Sequence, residues 1–334
     1  MPFSAQTSPA DSPSHLQSSR ACAHRLSRRT LLKGVGGLAA ASVIGGGAVV
    51  AGSAPAQAAL TVAEHEDHGR MQYYKLATSS IGWLPRVNVL LPDGYDTSRR
   101  YPVLFLLHGG GENYSTFDTK YDIRNHTAGR DLIVVMPDSG AAGWYCDPES
   151  SNVGPRNWET FHIKELLPWV DATFATTGQA SGRAVSGFSM GGFGALKYAA
   201  KYPELFASVS SHSGPADLRI QDGAVVHWAN FTAGATDLKG GTIYGIPWDQ
   251  ARVSADNPVE HVESYRGKRV FLVSGTESDR YESVVLPSQQ SFEKALDGAG
   301  IGYERYEDTG AHIVRWGRMQ QDIDSLLNHF AKGA

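Results

Sequence analysis

Gly187-Phe188-Ser189-Met190-Gly191, followed by Gly192, stands between the apolar run Arg183–Phe188 and the Ala-rich run Gly192–Tyr202. A Gly-x-Ser-x-Gly pentapeptide between a strand and a helix makes a sharp turn that lifts a serine hydroxyl above the end of a sheet. Such a turn strains the serine backbone and brings neighbouring chain close, and Gly187, Gly191 and Gly192 leave room where side chains would collide. The helix start behind it favours developing negative charge. In a chain with 37 glycines the pentapeptide alone carries little weight, since a flexible Gly/Ser linker would also contain it. The apolar flanks decide for the turn, with Ser189 as nucleophile.

Outward from this turn, β-branched and apolar runs alternate with helical spacing from about Ala59 onward, the pattern of a mostly parallel sheet flanked by helices. Arg86–Pro92 and Tyr101–Leu107 read as neighbouring strands joined by the turn-rich Asp93–Arg100. Leu132–Pro137, Arg183–Phe188, Ala207–Ser213, Lys268–Ser274 and Tyr303–Glu307 read as further strands. Trp158–Thr173, Gly192–Tyr202, Leu286–Ala299 and Trp316–Ala331 read as helices. Asp217–Arg266 is the least regular stretch and reads as an irregular cap insertion over the site.

Residues 1–58 read as a leader rather than as fold. Ser27-Arg28-Arg29-Thr30-Leu31-Leu32-Lys33 resembles a twin-arginine export signal; a weakly apolar Gly/Ala stretch follows, and Ala56-Gln57-Ala58 offers a small-residue cleavage site. An uncleaved anchor is the rival, but Gly and Ala make a poor lipid span. The expectation is a secreted domain over 59–334 with no stable membrane insertion after cleavage. Cleavage removes Cys22 and leaves Cys146 alone, so no internal disulfide is expected, and nothing beside Cys146 in sequence reads as an activating cation. A net charge of −4 gives no electrostatic case for a nucleic-acid partner.

His108-Gly109-Gly110-Gly111 follows the strand ending at Leu107. A glycine loop there turns backbone N–H groups toward a substrate oxygen, and the residue after the nucleophile, Met190, supplies the other half of an oxyanion hole. His108 reads as a brace for the loop. The order Ser, acid, His places the base near the C-terminus, where Gly310-Ala311-His312 lies between the last strand and the last helix. His65 and His68 read as part of a solvated tail. For the acid, Glu277, Asp279 and Glu282 all follow the strand ending at Ser274, and spacing does not choose among them.

With these residues in place, the chain resembles the esterase-D-type branch of the α/β hydrolases, which includes feruloyl and acetyl esterases, S-formylglutathione hydrolases and exported mycolyltransferases. Trp158-Glu159-Thr160-Phe161 with Glu165-Leu166-Leu167-Pro168-Trp169 carries the mycolyltransferase likeness, and Gly310-Ala311-His312 with Trp316 resembles the family's histidine loop. The resemblance implies the α/β-hydrolase fold and an oxyanion hole from the Gly110 and Met190 amides. Its mycolyltransferase side implies Glu282 as acid, and its feruloyl-esterase side Asp279; Glu282 is preferred. Mycolyltransferases carry an arginine in the oxyanion loop, where this chain reads Gly110-Gly111-Glu112-Asn113.

The expected activity is therefore serine carboxylester hydrolysis through an acyl-enzyme, on a small-molecule or carbohydrate-linked ester, with no metal or organic cofactor. Acyl transfer to a sugar or glycerol hydroxyl is the alternative. A non-catalytic binding protein on the same fold is the rival of another class. Trp144, Trp228 and Trp248 are candidate substrate-binding aromatics, with Tyr145, Phe231 and Tyr244 beside them in sequence.

Overall fold

The computed structural model describes residues 60–333, so the expected leader and cleavage site, with Cys22, lie outside the described residues. Nine strands, β1 (Thr61–His68), β2 (Met71–Ala77), β3 (Arg86–Leu90), β4 (Val103–Leu107), β5 (Ile133–Pro137), β6 (Arg183–Phe188), β7 (Ser208–His212), β8 (Arg269–Gly275) and β9 (Glu304–Asp308), form one sheet in the order β1-β2-β3-β5-β4-β6-β7-β8-β9. The first strands run antiparallel, and from β5 to β9 the sheet is parallel.

Strands β4, β5 and β6 are buried along their whole length because helices cover both faces. The period-two pleat of β4 divides its side chains between two cores. Val103, Phe105 and Leu107 pack with Phe193 and Leu196 of the helix Met190–Lys201. Leu104 and Leu106 pack with Met319, Ile323, Leu326 and Phe330, one face of the closing helix Trp316–Gly333. The parallel strands thus all deliver their C-terminal ends to one edge, where ligand sites of open α/β sheets form.

Three readings need correction. The strands expected as neighbours, β3 and β4, are separated by β5: Val89 pairs with Val135, and Val135 with Phe105. The three strands are almost wholly buried, with Asn88 as the polar residue inside β3, so the pattern carries no information on which edge meets which. His65 and His68 belong not to a tail but to β1, which forms a hairpin with β2. Every residue of β1 is exposed, which removes the alternation that marks a strand. The Asp217–Arg266 stretch is ordered as helices Ile220–Ala235 and Gln250–Asp256 and a 3-10 segment Pro258–Tyr265. Positive φ at Gln221, Asp222 and Gly223 kinks the first helix, and its buried face uses small Ala229 and Ala233, which weakens its periodic signal. Trp158–Thr160, Phe161–Leu166 and Leu167–Thr173 run on as one helical stretch with a π turn in the middle. Among the described residues, no helix is long and apolar enough to cross a membrane.

Candidate active site

Ser189 sits between β6 and the Met190–Lys201 helix with φ 55° and ψ −117°, backbone angles that only surrounding structure can enforce on a residue with a side chain. The glycines show what enforces them. A Cβ on Gly187 would lie 2.3 Å from Gly191 backbone, and one on Gly191 would lie 2.1 Å from the Leu107 carbonyl oxygen. The Ser189 N–H donates to the His212 carbonyl at 2.8 Å, so the turn hangs on the end of β7.

His312 lies in the loop after β9, with Nε2 2.7 Å from Ser189 Oγ and Nδ1 3.1 Å from Glu282 Oε1. Glu282 opens the helix Glu282–Ala299, one turn before the predicted start, and its side chain is fully buried. Asp279 does other work. Its Oδ1 accepts the N–H groups of Tyr281 and Glu282, and its Oδ2 accepts the backbone N–H of His312 at 2.9 Å. Burial opposes ionisation of Asp279, but those backbone donors outweigh it and hold its pKa below the usual aspartate value. Glu277 contributes its backbone N–H to the Gly310 carbonyl. Arg315, which no sequence signal singled out, donates to the Gly310 and Ala311 carbonyls and closes the histidine loop. The imidazole is packed between the rings of Phe188 and Tyr281, at 4.9 and 5.0 Å between centroids.

In the loop after β4, Gly109 N–H donates to Glu112 and Gly111 N–H to the Ala141 carbonyl. The Gly110 amide is left with no partner among the described residues. Met190 opens its helix, so its N–H has no carbonyl four residues back to meet. His108 braces the loop: Ser139 N–H donates to its Nε2, which puts the proton on Nδ1, facing the Gly109 carbonyl at 2.9 Å.

Ser189, His312, Gly110 and Met190 line a cavity of about 530 Å³, together with Trp144 and Trp228. Trp144 has φ 51° and donates from its indole N–H to Thr232. Trp228 packs edge-on to Trp144 and stacks on Tyr281, an aromatic wall of which sequence reasoning missed the tyrosine. Trp248 is not in this cavity: its ring covers Gly223 and meets His227. Tyr145 and Tyr244 are core residues, and Phe231 is an exposed residue that does not line the cavity. Cys146 is free and buried, and it does have a cation beside it, Lys197 Nζ at 3.2 Å. Burial nonetheless outweighs that charge and pushes the thiol up to about 12, so it stays protonated.

The Esterase family model matches residues 78–319. Esterase Rv1288 of Mycobacterium tuberculosis is 57% identical over 277 residues, which is 80% of this chain and 60% of that protein, so the chain spans about 60% of that relative's length. The MPT51/MPB51 antigen of Mycobacterium bovis is 26% identical over 68% of this chain and 78% of its own. Among solved structures, an S-formylglutathione hydrolase from Agrobacterium tumefaciens superposes with a TM-score of 0.64 at 19% identity, covering 82% of this chain and 99% of its own. A ferulic acid esterase superposes with a TM-score of 0.59 at 19% identity, covering 79% and 98%. With a mostly parallel sheet, a Gly-x-Ser-x-Gly turn at its C-terminal edge and a family match over most of its length, the chain belongs to the Esterase family of the α/β-hydrolase fold.

Proposed function

We propose that the protein is a secreted serine carboxylester hydrolase. One observation carries the reading: the unbroken line from Ser189 Oγ through His312 to the buried Glu282 carboxylate, at the edge of a cavity that Gly110 and Met190 also line. In this mechanism His312 takes the Ser189 proton as the oxygen attacks an ester carbonyl. The tetrahedral oxyanion rests on the Gly110 and Met190 amides, and Glu282 stabilises the imidazolium. Collapse expels the alcohol, which takes its proton from His312, and leaves an acyl-Ser189 ester. Water, deprotonated by His312, then releases the acid and restores the serine. Export through a twin-arginine leader of residues 1–58 belongs to the same proposal and rests on sequence alone.

The acyltransferase reading draws on a relative named diacylglycerol acyltransferase/mycolyltransferase Ag85B, from Mycobacterium leprae, 28% identical over 60% of this chain. Against it, the oxyanion loop carries Glu112 and no arginine. Fluorophosphonate labelling with peptide mapping tests the nucleophile: label on Ser189 is expected, and label on another serine refutes the assignment. Product analysis with a soluble ester and millimolar trehalose or glycerol tests the acceptor. Free acid is expected to dominate, and a majority of acylated polyol would favour the transferase.

A further inference from the structure

A run of three glycines is a poor platform for an oxyanion donor, because each glycine reaches many backbone conformations in which the amide points elsewhere. The loop Gly109–Gly111 is held from one side by Glu112. Its Oε2 accepts Gly109 N–H at 3.0 Å, while its own N–H donates to the Gly109 carbonyl at 3.2 Å. Its Oε1 accepts the Tyr121 hydroxyl at 2.9 Å and Lys120 Nζ at 3.2 Å. Tyr121 in turn packs against Phe117 and Trp316. The carboxylate is mostly buried and lines the cavity that holds Ser189.

Resting on the reading of Ser189 as nucleophile, we propose that Glu112 is the positioning residue of the oxyanion hole. Its carboxylate ties the glycine loop to the Tyr121 segment and takes the Gly109 amide, the Ala141 carbonyl takes that of Gly111, and Gly110 is the loop residue whose amide is left to join that of Met190 on the developing oxyanion. A carboxylate facing an oxyanion would be counterproductive if bare. Here Gly109 N–H, Tyr121 O–H and the Lys120 ammonium all donate to it, which spreads and offsets its charge. The oxyanion forms only on the way to the tetrahedral intermediate, so a disordered donor lowers kcat and leaves ground-state binding alone.

The test uses the full chain, a soluble p-nitrophenyl ester and a trifluoromethyl ketone whose hemiketal mimics the oxyanion. Glu112→Ala should lower kcat by about 10- to 100-fold with KM within about threefold, the scale expected when one oxyanion donor is weakened. Ketone affinity should fall in parallel. Glu112→Gln keeps an oxygen for the Gly109 amide and should recover kcat to within about fivefold of the parent. Tyr121→Phe removes one outer tie and should lower kcat by about three- to tenfold, which keeps the test open should Glu112→Ala fail to fold. An unchanged kcat in Glu112→Ala or Tyr121→Phe, a loss confined to KM, or no recovery with Gln would overturn the proposal. A parent protein that fails to label at Ser189 would instead overturn the reading beneath it.

Discussion

The molecule holds two serine–histidine–carboxylate groupings, an upper one at the C-terminal edge of the sheet and a lower one between strands β6 and β7 and the closing helix. In the upper one, Ser189 meets His312, which meets Glu282. In the lower one, His212 Nε2 lies 2.9 Å from Asp322 Oδ2, and the Ser186 and Ser210 hydroxyls donate to the same carboxylate at 3.2 and 2.7 Å. The residue types are the same, and the order of contacts is not. Below, the serines bond the carboxylate and bypass the imidazole, so no base stands ready to take a hydroxyl proton. Arg269 adds a bond to Asp322 at 2.8 Å and balances its charge, and all members are buried. Above, the imidazole sits between the other two and faces a cavity. Composition is no guide to which grouping does chemistry; the sequence of hydrogen bonds and access to a substrate are.

The sharpest way to break this contrast is to remove one serine from each grouping. Ser189→Ala should lower ester turnover by about 10⁴-fold or more, the scale of losing a nucleophile that acts in concert with its base. Ser210→Ala should leave turnover within a few-fold and lower the melting temperature instead. Steady-state kinetics beside thermal unfolding decides it, and comparable turnover losses in both variants would erase the distinction.

Removing the carboxylates sharpens it further. Glu282→Gln should cost about 10³- to 10⁴-fold in kcat, because an amide cannot stabilise the imidazolium and can hold the wrong tautomer. Asp279→Asn should cost far less in kcat, since Asp279 holds the backbone of His312 and not its ring, but it should destabilise the loop by about 1 kcal/mol, because an NH2 group replaces one of the two oxygens that accept backbone N–H groups. A larger kcat loss in Asp279→Asn would shift the acid to Asp279. Asp322→Asn should leave kcat of the folded protein nearly intact while lowering stability by about 3 kcal/mol, because Arg269 loses its buried counter-charge.

The lower grouping should also set an acid limit. Burial alone would raise the Asp322 pKa, but Arg269 first, with His212 and Ser210, outweighs it and brings it down from 3.8 to about 2. A depressed folded-state value means that the contribution is complete above about pH 4 and is lost as pH falls through about 2; it amounts to about 2 kcal/mol. Stability of the parent should therefore drop between those pH values more steeply than that of Asp322→Asn, measured by denaturant unfolding at each pH. Parallel curves would show that the pair does not titrate with unfolding.

The smallest effect separates the tryptophans. Trp228→Ala should raise KM for an aryl ester by about three- to tenfold, the worth of one aromatic contact. Trp248→Ala should leave KM unchanged, and an equal rise in both would place Trp248 on the substrate's path.

How far the chain could be read before its structure depends on the range over which each feature is decided. The turn at Ser189 is local: its glycines, its strand and its helix are contiguous, so motif and context were both visible. The histidine loop is local too. Which carboxylate meets the ring is not, because it depends on Asp279 turning its oxygens to three backbone N–H groups and so starting the helix at Glu282. Trp248 was misplaced for a similar reason, since it packs on the kink at Gly223 of the helix Ile220–Ala235, well along the chain from it. Strand order failed where strands are buried on both faces and nothing distinguishes their edges, and β1 was invisible because nothing in it is buried. The lower grouping left no sequence signature, since it joins residues from four separate elements.

Ser189 and His312 stand 123 positions apart along the chain. On a ribosome adding about 5 to 20 residues per second, the nucleophile's turn emerges roughly 6 to 25 seconds before the base that would arm it. The nascent chain thus carries Ser189 without its proposed base while those intervening residues are added, and in the proposed mechanism hydrolysis waits for the histidine loop. In the proposed mechanism competence is in this way scheduled by the order in which the two residues are made.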